Sequence, residues 1–148
     1  MELLTKHLVA LYERDLNKLK QEIQSYESEE KLWEVRGNIN NSAGNLCLHL
    51  TGNLRHFIGA ILGKTGFVRD REAEFSSKNV PQSQLIKDIE STIGIIKEVL
   101  PQLTEEQLYQ EYPIQVFGYP MSTSYFLIHL AMHLDYHLGQ INYHRRLL

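Results

Sequence analysis

The residues in this chain with the greatest capacity for chemistry are histidines, and their spacing points to a metal ion. Four of them, His129, His133, His137 and His144, lie in the last stretch of the chain. On a helix they fall within roughly 80° of one another and so form one stripe. His133 and His137 stand at i and i+4, so their rings leave successive turns on one side. Both can then reach a single divalent ion at about 2.0–2.1 Å. The stripe borders Phe126, Leu130 and Ile141, so at least His133 and His137 are expected to face a core, where an imidazole needs a partner. A third ligand has to come from another helix, and His49, beside Leu46, Leu50 and Phe57, is the best candidate.

Taken alone, a His-x3-His pair is a structural or surface feature in most helices that contain it. The metal reading gains weight from two inward histidines coinciding with an inward histidine on a different helix. Three unpartnered imidazoles in a core would each cost desolvation energy, and a shared cation removes that cost. His56 competes with His49, since it lies on nearly the same face two turns along, about 10 Å away; only one of them can easily join His133 and His137. Cys47 is turned by about 200° from His49 and reads as a small buried hydrophobe. His129 sits one turn before His133, and His7 and His144 are expected to be exposed. Leu134 follows His133, so the general-base glutamate of the zinc-protease pattern is absent.

Three neutral histidines leave one coordination position open, which normally marks a catalytic site. Metal-activated water or thiolate is the chemistry implied. Asn53 lies one turn beyond His49 and Gln140 one turn beyond His137. Either of them, or His129, is placed to hydrogen-bond a ligand imidazole or a bound water; simple helix packing explains Asn53 and Gln140 equally well. Gly139 is expected to let a neighbouring helix approach, and Arg55 to face solvent. Imidazole ligands suit Zn²⁺, Ni²⁺ and other ions.

Positioning these side chains requires helices, and the apolar periodicity predicts four. Leu4, Leu8, Leu11, Tyr12, Leu16, Leu19 and Ile23 mark the first. The second runs from about Ser42 to near Gly63 with Leu46, Leu50, Phe57, Ile58 and Ile61. Residues 64–80 show neither period and are expected to be a long connection, a length that is often functional. Pro81 opens the third, whose Leu85, Ile86, Ile89, Ile93, Ile96 and Leu100 repeat before Pro101. Residues 110–120, with Pro113, Gly118 and Pro120, suit a short irregular arm or hairpin. The fourth starts at a Ser122 or Thr123 cap and ends near Arg145 and Arg146. The expected fold is therefore an all-α four-helix bundle, one domain spanning residues 1–148.

Composition agrees with this and excludes some functions. At 148 residues, 43% hydrophobic and 22% charged, the chain can bury a sizeable core without disulfides. A net charge of −3 with scattered basic residues argues against nucleic acid as a partner. One cysteine, no basic and apolar leader and no apolar run of membrane-spanning length lead to the expectation of a cytoplasmic protein with no membrane contact.

Two stretches, His133-Leu-Asp-Tyr-His137-Leu-Gly139-Gln140 and His49-Leu-Thr-Gly52-Asn53-Leu-Arg55, together with the helix order, resemble the DinB-like (YfiT-like) superfamily of bacterial four-helix metal proteins, over essentially the whole chain. This is not the similarly named DNA polymerase. The resemblance implies a metal triad of one histidine from the second helix and two from the fourth, here His49, His133 and His137. It implies an S-transferase that uses a low-molecular-weight thiol such as bacillithiol or mycothiol on a small-molecule substrate, and a homodimer. A metal-dependent hydrolase and a non-catalytic, metal-stabilised bundle are the competing expectations.

Overall fold

The computed structural model describes residues 1–148, and its regular elements are all helices. The elements are α1 (Leu3–Gln24), α2 (Ala43–Leu54), α3 (Arg71–Ser76), α4 (Gln82–Val99), α5 (Glu105–Tyr109) and α6 (Thr123–Leu147). Helices α1, α2, α4 and α6 form the bundle: α1 packs on α4 and α6, and α2 packs on α6, α4 and the short α3. No helix is long and apolar enough to cross a membrane.

The helix starts follow from side-chain chemistry. A helix leaves its first N–H groups without partners, and a preceding hydroxyl or carboxylate can take one of them. Ser42 accepts from the Asn45 N–H at the head of α2, Asp70 from Ala73 at α3, and Ser122 from Tyr125 at α6. Thr104 and Gln107 form a reciprocal capping box on α5.

One cluster of 29 buried hydrophobic residues joins the elements. Tyr12, Leu16, Leu19 and Ile23 of α1 are fully buried, as are Leu85 and Ile89 of α4 and Leu127 and Ile141 of α6. Burial of each such side chain contributes roughly 1.5–3 kcal/mol. Polar pins set the helix registers. Tyr12 donates its hydroxyl proton to the Leu127 carbonyl at 2.6 Å, and Glu22 receives Arg145 Nε and Asn142 Nδ2, each at 2.7 Å. Both tie α1 to α6.

Helix α2 does not stop at Leu54. It runs on as a π-helix over Arg55–Leu62, ending where the hydrophobic pattern predicts but with wider turns. Such stretches recur near functional sites. Within it, Phe57 offers its carbonyl to the Tyr112 hydroxyl at 2.6 Å. The arm over residues 110–120 is closed by a single antiparallel bridge, Glu111 to Ser122, as the irregular sequence leads one to expect.

Two sequence expectations on this framework need correction. Residues 64–80 are not merely a connection, because their capped helix α3 returns to pack on α2. Gly139 is exposed, with open space where a Cβ would stand, so it does not serve helix approach. Gly52 is the glycine of close approach near the site, since a Cβ there would overlap the Glu74 carboxylate.

Candidate metal centre

Helix α2 delivers His49 and α6 delivers His133 and His137 to the same point. One nitrogen from each ring lies within 4.8 Å of the other two. His49 is buried, and the other two are partly buried. The rings meet edge to face, with centroids 5.0 Å apart for His49 and His133 and 4.6 Å for His133 and His137.

Hydrogen bonding decides which nitrogens are free. His49 Nδ1 lies 3.0 Å from Glu74 Oε1, so it holds the proton and donates, leaving the Nε2 lone pair facing the centre. His137 Nδ1 lies 2.7 Å from Gln140 Oε1, which fixes the same tautomer. His133 Nε2 stands 3.2 Å from His49 Nε2, while His133 Nδ1 is buried with no protein partner. Burial first, and then the neighbouring His137 and His49, push the His133 ring down to about 3. Burial lowers His137 too. His133 in particular is held in the neutral form that ligates metals.

These residues fit a cation. Two nitrogens each ~2.05 Å from a tetrahedral ion lie roughly 3.3 Å apart, close to the 3.2 Å between His49 Nε2 and His133 Nε2. Without a proton or cation between them, two lone pairs would face each other in a partly dry site.

The surroundings fix the His49 ring, and they come from the segment after α2. Burial alone would raise the Glu74 carboxyl, but hydrogen bonds from His49 and Arg69 outweigh it and hold the group below the usual carboxylate range. Arg69 grips Glu74 through Nε at 2.9 Å and Nη2 at 3.0 Å. Asn45, itself buried, anchors α3 by donating to the carbonyls of Glu74 at 2.9 Å and Ser77 at 2.8 Å. Phe75 adds a ring 4.8 Å from that of His49.

A cavity of about 330 Å³ opens beside the centre and is lined by His49, His133, Asn53, Arg69, Phe117 and His129, among others. Asn53 is buried and its Oδ1 has no hydrogen-bond partner. His129 packs on Phe117 at 4.9 Å between centroids. Gln140 therefore supports a histidine directly, whereas Asn53 and His129 face the cavity. Cys47 is fully buried and its thiol is raised by burial, far from ligand-like behaviour. His56 lies outside the cluster, against Phe57.

Two further expectations fail. His144 is buried, not exposed: Tyr26 Oη lies 2.6 Å from Nδ1 and the Glu34 carbonyl 2.8 Å from Nε2. Arg55 does not face solvent. It lies over the Phe67 ring at 4.7 Å and within 3.7 Å of Asp88, because the returning connection covers it. Sequence reasoning missed Glu74, Arg69 and Asn45. A signal existed for Glu74: Asp70 followed by Arg-Glu-Ala-Glu has the form of a capped helix start.

No curated protein matches the chain. A solved structure, described as a conserved protein of locus from Enterococcus faecalis, superposes with a TM-score of 0.75 at 19% identity, covering 99% of this chain and 97% of that one. At that identity the likeness shows the fold alone. A family model described as "Protein of unknown function (DUF1572)" matches residues 5–148, and the chain belongs to that family.

Proposed function

We propose that the protein is a metal-dependent enzyme of the DinB-like kind, holding one divalent ion, zinc or nickel, on His49, His133 and His137. The observation that carries this reading is the convergence of three imidazole nitrogens within 4.8 Å beside a cavity large enough for a small molecule. When bound, the ion supplies Lewis acidity that lowers the pKa of a sulfur or oxygen ligand.

The activity that fits best is S-transfer from a low-molecular-weight thiol of the bacillithiol or mycothiol type. No carboxylate lines the cavity, and Glu74 is already committed to His49 and Arg69. A thiol is intrinsically far more acidic than water, so on a metal it ionises with less help from a base than bound water does. In the transfer, the S–H proton leaves to His129 or solvent and a carbon–sulfur bond forms. The bond to the leaving group breaks, and that group takes the electron pair. Glu74 and Gln140 hold the ligand rings, while Phe117 and Phe126 shield the reacting atoms from water.

Elemental analysis of untagged protein is expected to find about one metal ion per chain, lost in the variant with all three histidines replaced by Ala. Turnover of a model electrophile is expected only with added thiol. Hydrolysis without thiol would replace transfer by water attack. Metal-dependent stability with no turnover would leave a non-catalytic bundle. The homodimer that the resemblance implies is tested by sedimentation velocity.

A further inference from the structure

We infer that the cavity beside the histidines recognises a small carboxylate with a flat apolar body, its charge held by Arg69 and Arg71. The inference rests on the metal reading only in taking this cavity as the place where a reactant sits.

The cavity wall is chemically one-sided. It contains two guanidinium groups and no carboxylate. Arg69 is almost fully covered, with 11% of its side chain exposed, and it spends Nε and Nη2 on Glu74. Its Nη1 makes no hydrogen bond within the protein, although a guanidinium carries donors on every nitrogen. Arg71 stacks over Phe75 at 5.2 Å and has no acidic partner. A rigid donor edge of this kind matches a planar carboxylate. The apolar part of the wall is mostly aromatic, Phe57, Phe117 and Phe126 beside Val116 and Leu130, which suits a flat apolar body.

A second observation points to a ligand independently. Asn53 is 7% exposed, its side chain makes no hydrogen bond, and it lines the same cavity. A buried amide oxygen without a partner is costly, and a hydroxyl or amide N–H on the ligand would satisfy it. A singly charged carboxylate also loses less hydration than a phosphate dianion on entering an aromatic pocket.

Benzoate, benzyl alcohol and phenyl phosphate serve as probes in NMR titrations of the full-length protein. Benzoate is expected to bind at least about tenfold more tightly than benzyl alcohol, with an affinity that falls as salt is added. Arg71→Gln is expected to weaken benzoate about tenfold, a loss typical of one charged hydrogen bond, while leaving benzyl alcohol binding and metal content unchanged. Phe117→Ala is expected to weaken both. Equal affinity for benzoate and benzyl alcohol, tighter binding of phenyl phosphate, or an Arg71→Gln variant with wild-type preference would each overturn the inference. Carboxylate preference that depends on Arg71 in protein carrying no metal would uphold it and sink the metal proposal. Bound metal with no such preference would do the reverse.

Discussion

Helix α6 carries two histidine environments that share a stripe and differ in every other respect. Near its end, His144 is buried with both ring nitrogens engaged, one by Tyr26 and one by the Glu34 carbonyl. About three turns upstream, His133 faces another imidazole through Nε2 and has no partner at Nδ1. The first is a core histidine whose polarity is satisfied by its own fold. The second meets only another imidazole at one nitrogen and nothing at the other, so its fold leaves it incompletely satisfied. Helical spacing does not separate the two; burial, complete for His144 and partial for His133, and the inventory of hydrogen-bond partners do.

The comparison breaks most sharply under substitution of the triad. Replacing His49, His133 and His137 by Ala is expected to reduce bound metal from about one per chain to near zero, read by elemental analysis, with helical circular dichroism largely kept. His144→Ala is expected to do the opposite. Metal content stays, and stability falls by about 1–3 kcal/mol as Tyr26 and the Glu34 carbonyl lose their partner, measured by denaturant unfolding. Loss of metal in His144→Ala at full stability would erase the distinction.

Next in size is the carboxylate behind His49. Glu74→Gln is expected to weaken metal affinity by about 10–100-fold, the usual cost of removing such a partner, read by competition with a chelator. Gly52→Ala should act in the same direction, because the new methyl displaces the Glu74 carboxylate.

A gentler discriminator is pH. In the metal-free protein the His133 ring resists protonation down to about 3, whereas in the unfolded chain it takes a proton near the ordinary 6.5. Between those values the unfolded state binds more protons, so stability is fully present above 6.5 and is lost as pH falls toward 3. Denaturant titrations across that window are expected to show this slope, and His133→Leu to flatten it. The smallest effect belongs to Gly139→Ala. With open space around it, it should gain up to about 1 kcal/mol of helix propensity and leave metal content untouched.

The bundle was legible because apolar residues recur with helical period, and the buried faces of α1 and α4 follow from Leu16, Leu19, Leu85 and Ile89. The triad was legible because i and i+4 spacing on α6 converges by geometry. Glu74 and Arg69 were not. They sit in a stretch without periodicity, and their role depends on how α3 folds back, which Asn45 decides through contacts about thirty residues away in sequence. The burial of His144 was hidden for the same reason, since its partners come from Tyr26 and Glu34. Arg55 was misjudged because Phe67, which covers it, lies in that same returning stretch.

The separation of 84 residues between His49 and His133 gives the centre a mechanical meaning. Two of its donors belong to one helix, and the third waits on a distant part of the chain, so full grip exists only after α2 and α6 have docked. An ion bound there would act as a clasp between the early and late portions of the polypeptide. Because it would grip the folded form alone, free metal at a hundredfold its dissociation constant would deepen the native well by about 2.7 kcal/mol.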